Sequence, residues 1–385
     1  MNPRVAAIPG SLIRQVAAKK RPTSIDLGLG EPTLLPSMAH FDYAMERVAG
    51  EGVKYTANAG DLRLRESIAA HYAYPEMDRA ENVCVTAGSQ EAMYVTLMTL
   101  LDPAVDELLV VEPAFPSYVK MATLGGVAVR TVSMSADDGF AFDGERIAAA
   151  IGPATRAIVV CSPCNPTARV LHRDQANTLV EAVRRRGGDP VWLIHDEIYR
   201  EQCFIDDAVD LAALYPYTIV TNSLSKSNAL TGLRLGWILG PTAFLEQAVK
   251  AHAWVTSCAD TFAQYVAAHV FSTEGGLQEH AGWYARHREA LVATLRDSGL
   301  PFVAPDGAFY VAVRVPDGIG SLDAAYALIE HHDVVAIPGR AFGDAMEGWL
   351  RLSWVAPADV VAEGVRRIAE WSRATRASAG GSSIA

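Results

Sequence analysis

The string Ser223-Leu-Ser225-Lys226-Ser-Asn-Ala-Leu-Thr-Gly-Leu-Arg234-Leu-Gly236 carries the most pointed chemistry in this chain. A lysine amine that is neutral often enough to attack can form an imine with a carbonyl compound. Two serines at alternate positions, with an arginine eight residues beyond the lysine, can converge on a phosphate. In Thr86-Ala-Gly88-Ser89-Gln90 a strand-like run gives way to a helical pattern. The free N–H groups and the dipole of a helix N-terminus hold an anion there. Arg351, within Leu350-Arg-Leu-Ser-Trp354, offers a guanidinium that can grip a carboxylate through two parallel bonds. Each motif taken singly has a plainer reading. Ser or Gly at a helix start is ordinary capping, Asn165-Pro166 is a common turn, and an arginine on a strand can be a surface charge.

Periodicity supplies the elements that must position these groups. Short apolar runs fall at Val83–Thr86, Glu107–Glu112, Val127–Val132, Arg156–Cys161, Val191–His195, Thr218–Asn222 and Leu235–Leu239. Amphipathic stretches such as Leu62–Ala73, Gln90–Leu101 and Asp174–Arg186 lie between several of them. Strands alternating with helices predict an α/β fold with a mostly parallel sheet. A run such as Ala157-Ile-Val-Val-Cys161 suits a sheet covered on both faces. Ligands of such sheets bind beyond the carboxyl ends of the strands. After a helix-rich stretch from Pro241 to Leu300 the pattern turns to α+β. It has a hairpin-like run at Gly307–Val315, strands at Val334–Pro338 and Trp349–Trp354, and helices at Ser321–His331 and Ala358–Arg373. The small, polar tail Ala377–Ala385 reads as loose.

The chain has 385 residues and a formal net charge of −11. That balance argues against nucleic acid or an anionic membrane as the main partner, because both require a basic surface. It leaves room for a locally positive pocket. No run of 18 apolar residues suggests a transmembrane helix, and residues 1–10 lack the apolar core of a signal peptide. Five cysteines are few and odd in number, which fits a reducing compartment, so a cytoplasmic location is expected. Cys161-Ser-Pro-Cys164 follows a strand instead of opening a helix, so the helix-dipole activation of a redox thiolate is missing. Gly28-Leu-Gly30-Glu-Pro32 is not a dinucleotide fingerprint, since Thr33 stands at the position of the third glycine. His331-His332-Asp333 reads as a solvated helix end, and no metal is expected.

The lysine string as a whole resembles the cofactor-lysine signature of the class I/II aminotransferases, fold-type I enzymes that use pyridoxal 5′-phosphate. Further matches follow in the family's order over nearly the whole chain. The resemblance implies a large domain at 41–299, with a mostly parallel seven-stranded sheet between helices. It implies a smaller, discontinuous α+β domain at 1–40 and 300–385. It implies that Lys226 carries the cofactor, that Asp196 pairs with the pyridine nitrogen, and that Tyr199 and Asn165 bond its phenolic oxygen. Phe115, in Glu112-Pro-Ala-Phe-Pro-Ser-Tyr118, would stack on the ring. Gly88, Ser89, Gln90, Ser223, Ser225 and Arg234 would surround the phosphate, with Tyr55 reaching it from the second subunit of a homodimer. Arg351 and Asn165 would hold the substrate carboxylate, and the segment containing Gly30 would close over it. One departure stands out: the family reads Asn-Pro-Thr-Gly where this chain has Ala168, and a left-handed backbone there would strain an alanine.

The implied reaction is ping-pong transfer of an amino group from an L-amino acid to a 2-oxo acid. The same constellation also serves lyases, decarboxylases and specialised amino-acid-modifying enzymes. Acidic substrates need a second cation, and Ala251–Tyr265, where some relatives supply it, contains His252, Trp254 and Phe262 but no Arg or Lys. A neutral, apolar or aromatic donor is therefore expected.

Overall fold

β-branched and apolar runs, buried on both faces except in the edge strand Ala128–Ser133, build the main sheet of the computed structural model, which describes residues 1–381. Its strands are β1 (Val83–Thr86), β2 (Glu107–Glu112), β3 (Ala128–Ser133), β4 (Thr155–Cys161), β5 (Trp192–Asp196), β6 (Thr218–Ser223) and β7 (Gly236–Leu239). Their order is β1-β7-β6-β5-β4-β2-β3. The run from β6 to β3 is parallel, and β7 lies antiparallel to both β1 and β6. In β4 every residue but Arg156 is buried, as a strand covered by helices on both sides requires.

The covering helices follow the 3.6-residue period. The helix Arg173–Arg185 buries Ala176, Leu179, Val180 and Val183, one stripe at the expected spacing. Registers Cys161↔Asp196 and Asp196↔Thr221 bring the carboxyl ends of β4, β5 and β6 to one edge. Gly236 pairs with both Thr86 and Ser223, so the start of β7 and the end of β1 reach the same edge.

A second, smaller α+β unit follows. Its antiparallel strands are β8 (Phe302–Val303), β9 (Tyr310–Arg314), β10 (Ile337–Pro338) and β11 (Trp349–Ser353), ordered β10-β11-β9-β8. The single strand expected at Val334–Pro338 is two: Val334–Val335 pairs in parallel with Ile25–Asp26 near the start of the chain, while β10 joins β11. Likewise the Gly307–Val315 run is not a hairpin in itself; β9 pairs with β8 on one side and β11 on the other. Helices Thr242–Val255, Thr261–Ser272 and Ala281–Ser298 occupy the helix-rich stretch. The last helix runs from Ala358 to Gly381, past the expected end at Arg373 and through the first residues of the expected loose tail; residues 382–385 lie outside the described part. No helix among the described residues is long and apolar enough to cross a membrane.

Candidate active site

The edge where β4, β5 and β6 end is the floor of a cavity of about 1010 Å³, roofed by the N-terminal segment and by β9 and β11. Lys226, Asp196, Tyr199, Asn165 and Arg351 line it, as do Ser89, Gln90, Phe115, Ser225, Arg234 and Gly30. Residues spread over more than 300 positions of sequence thus meet in one place.

Lys226 sits in a single helical turn, Leu224–Ser227, directly after β6. Its Nζ donates to the carbonyl of Gly30 at 2.5 Å, and its own carbonyl accepts from Gln202 Nε2 at 3.1 Å. Burial pushes the amine down to about 8, and the nearby Arg351 guanidinium adds to that shift. An amine so placed is neutral in a useful fraction near neutral pH and can act as nucleophile or base.

Asp196 ends β5 and is buried. Burial raises its carboxyl, and two donors oppose that: the Tyr118 hydroxyl at 2.6 Å from Oδ2 and the Ile198 N–H at 3.2 Å from Oδ1. Tyr118 comes from the same motif as Phe115, three residues on, and its ring meets Phe115 edge-on. The sequence reading passed over it. Its place at the end of the Glu112–Tyr118 motif was the available signal.

Arg351 lies on β11 and is only 3% exposed. Its Nη1 donates to Asn165 Oδ1 at 3.0 Å and its Nη2 to the carbonyl of Gly28; Nε is buried without a partner. Asn165 Nδ2 in turn lies 3.5 Å from the Tyr199 hydroxyl. The segment that holds Gly28 and Gly30 is pinned to β11, with Ser353 N–H on Leu27 O at 2.7 Å and Ser353 Oγ on Leu29 O at 2.9 Å.

At the other end of the cavity Gly88 caps the helix Ser89–Leu100 with φ +82°, ψ 168°, a conformation open essentially to glycine alone. A Cβ at Gly88 would stand 2.5 Å from Arg234 Nη2. Helix N-terminus and guanidinium therefore share a cradle that any side chain would fill. A phosphate fits this cradle.

Three residues from the expected set do not line the cavity: Gly88, which stands behind it against Arg234, and Ser223 and Tyr55. Ser223 is buried and does not line the cavity; its Oγ accepts the Ser225 N–H at 3.2 Å and caps the lysine turn. Tyr55 also lies outside the cavity of its own chain and is 88% exposed. His252, Trp254 and Phe262 do not line the cavity. His252 is fully buried beside Glu91, 3.4 Å away, Phe262 packs against Phe41, and Trp254 is exposed. The lining also holds Arg14 and Lys120, which no motif pointed to, and Arg340 from the Ile337–Gly343 segment. Ala168 does adopt the left-handed conformation, φ +61°, at a cost of about 1–2 kcal/mol. Its carbonyl accepts the N–H groups of both Asp306 and Gly307 at 3.0 Å, which hold the turn in place. Burial pushes the thiols of Cys161 and Cys164 up, so neither is poised for redox chemistry.

The family model described as aminotransferase class I and II matches residues 22–368. The chain belongs to that family. It is 31% identical to an aspartate aminotransferase of Pyrococcus horikoshii over 382 residues, covering 95% of each chain. It is 30% identical to the aromatic-amino-acid aminotransferase 2 of Thermococcus litoralis, covering 89% of this chain and 90% of that one. With the arginine–pyruvate transaminase AruH of Pseudomonas aeruginosa it shares 32% identity, over 89% of this chain and 88% of that one. The solved aspartate aminotransferase of Thermus thermophilus with maleate superposes with a TM-score of 0.88 at 29% identity, covering 96% of this chain and 99% of that one. The protein is thus a pyridoxal-phosphate-dependent aminotransferase. The cavity fits that cofactor: it offers a cradle for a phosphate, a neutralisable lysine, and a buried carboxylate whose Oδ1 accepts only one backbone N–H.

Proposed function

We propose that the cavity transfers an amino group from an L-amino acid with a neutral, apolar or aromatic side chain to a 2-oxo acid, by a ping-pong sequence. The observation that carries this reading is the convergence of Lys226 and Arg351 on one cavity, with Asp196 at its floor. Pyridoxal 5′-phosphate, when bound, supplies a carbonyl for the amino group and an electron-withdrawing ring.

The chain's own residues do the rest. Gly88, Ser89, Gln90, Ser225 and Arg234 hold the phosphate, and Ser223 supports them by fixing the lysine turn. Phe115 packs against a face of the ring. Asp196 keeps a proton on the ring nitrogen, with Tyr118 fixing its carboxylate. Tyr199 and Asn165 donate to the ring hydroxyl's oxygen. Arg351 and Asn165 take the substrate carboxylate, and Gly30 closes the segment over it. Lys226, once free, would remove the proton from the substrate's α-carbon and deliver it to the cofactor's C4′ carbon. The apolar side chains of Leu12, Ile13, Met93 and Phe342 in the lining support a neutral side chain on the donor, while Arg14, Lys120 and Arg340 in the same lining favour an acidic one, and a panel of donors decides between them.

We also propose a cytoplasmic homodimer, with the large domain at 41–299 and the small one at 1–40 and 300–385. The parallel sheet falls wholly within the first range, and the antiparallel sheet wholly within the second. Val53 and Tyr55 lie on a segment bonded to that of Trp254 and Val255, through Asn58 Nδ2 to Ser257 O at 2.7 Å and Thr261 Oγ1 to Lys54 O at 2.6 Å. All four are large, apolar and exposed, which suits a face covered by a second copy. There Tyr55 would reach the partner's phosphate site.

A panel of amino donors and oxo acids tests the reaction, with the cofactor spectrum and the 2-oxo acid both followed. Lys226→Ala should abolish the lysine-bound absorbance and the turnover together. Turnover of aspartate or glutamate far above every neutral amino acid would overturn the substrate class.

A further inference from the structure

Tyr310 belongs to none of the motifs that pointed to the site, yet it touches Tyr199, Arg351 and the Gly30 segment. It lies on β9, buried at 2% exposure, and lines the cavity. Its hydroxyl is 2.9 Å from the hydroxyl of Tyr199. Its ring carries the guanidinium carbon of Arg351 at 4.3 Å from the centroid, and Phe342 closes the other contact at 4.9 Å. A Cβ on Gly30 would fall 1.9 Å from the Tyr310 oxygen, so the bare backbone at Gly30 is what leaves that hydroxyl its place. β9 and β11 pair through Tyr310↔Ser353 and Ala312↔Arg351, which fixes Tyr310 and Arg351 relative to each other.

We propose that Tyr310 is a positioning residue with two separable jobs: its ring steers Arg351 toward the substrate carboxylate, and its hydroxyl tunes Tyr199. The inference rests on the reading of the cavity given above. A guanidinium seated on an aromatic face keeps its edge free for a bidentate partner. The unpartnered Nε of Arg351 fits a side chain held by its faces and not by a full set of bonds along its edge. The hydroxyl argument is one of proton supply. Tyr199 has a single hydroxyl hydrogen. If Tyr199 gives it to the cofactor's oxygen, the short contact must run from Tyr310 to Tyr199. A hydroxyl that accepts a hydrogen bond becomes a better donor. Tyr310 therefore strengthens the bond that Tyr199 makes, and favours the deprotonated form of the lysine-bound cofactor. Asn165 Nδ2, at 3.5 Å, is too distant to replace it.

Two variants of the holoenzyme separate the jobs. Tyr310→Phe keeps the ring. The pH at which its visible spectrum changes should rise by about half to one unit, the size of one modest hydrogen bond. Its affinity for an inert carboxylate, 3-phenylpropionate, should stay within about twofold of the wild type. Tyr310→Leu removes ring and hydroxyl. It should show the same spectral shift and bind 3-phenylpropionate about tenfold or more weakly. A spectrum in Tyr310→Phe that titrates within about 0.2 units of the wild type, or lower, overturns the hydroxyl's role. Tyr310→Leu binding as tightly as Tyr310→Phe overturns the ring's role. Tyr310→Met serves the second arm if the leucine variant does not take up cofactor. Failure of the underlying reading looks different: wild-type protein with no visible band, or a Lys226→Ala variant that keeps it.

Discussion

Lys226 shows how a side chain poised for chemistry can be a liability to the fold that holds it. Its pKa falls from 10.5 to about 8 on folding because the ammonium is desolvated. Between those values the unfolded chain holds a proton that the folded chain has released. Stability of the cofactor-free protein should therefore rise with pH across about 8 to 10.5 through this group, and the buried ammonium costs on the order of 3 kcal/mol below that window. Lys226→Met should make the cofactor-free protein more stable at pH 7 by up to about 3 kcal/mol, with the gain shrinking toward pH 10. Denaturant titrations at the two pH values check this; a variant less stable than the wild type at pH 7 would contradict it. Arg351 has the opposite character. Its fork reaches Asn165 and Gly28 at once, a span that an ammonium cannot reproduce. Arg351→Lys should weaken binding of an inert carboxylate to the holoenzyme by about tenfold or more, read from the spectral change on binding.

At the scale of elements, the site depends on junctions more than on the strands and helices themselves. The helix Ser89–Leu100 would exist with alanine at its cap, but the cradle would not. Gly88→Ala adds backbone strain of about 1–3 kcal/mol and pushes a methyl onto Arg234. The fold should survive, since a domain of ordinary stability exceeds that strain. Cofactor affinity should fall by about tenfold or more, measured by titrating the cofactor-free variant with pyridoxal 5′-phosphate. Unchanged affinity would show that Arg234 and the helix N-terminus do not act together. Gly236 belongs to the same junction, with Gly88 and Ser89 backbone within 2.6 Å of where its Cβ would be.

For the molecule as a whole, the exposed position of Tyr55 is informative. A tyrosine 88% exposed, beside Val53, Trp254 and Val255, has no packing role in its own chain. If this face is buried by a second copy, Val53→Glu combined with Trp254→Glu should give a monomer by sedimentation. It should also weaken cofactor binding, because on the proposed arrangement the tyrosine reaching each phosphate would come from the other subunit. A monomer with full cofactor affinity would detach Tyr55 from the site.

Much of this was legible in the linear chain, for a physical reason. Strands of a doubly covered sheet are short and apolar, so β1 and β2 fall where their residues alone place them, and the other five shift by a residue or two. Asp196 ends such a strand, and Lys226, Asn165 and Gly88 follow one within a few residues, so local order positions them. What local order cannot carry is contact across the fold. Pairing of β9 with β11 sets Tyr310 against Arg351, and Phe342, from the turn ahead of β11, packs on the same guanidinium. Tyr118 gained its meaning from Asp196, 78 residues away. The split of Val334–Pro338 between two sheets depends on a partner strand at Ile25–Asp26, far off in sequence. The sequence by itself determined where the groups proposed for the chemistry fall, each beside a strand or helix end, and the family motifs they sit in are what suggest their roles. Only the tertiary structure decided which side chains hold those groups in place, because that support comes from residues brought near by long-range pairing, and no local pattern records it.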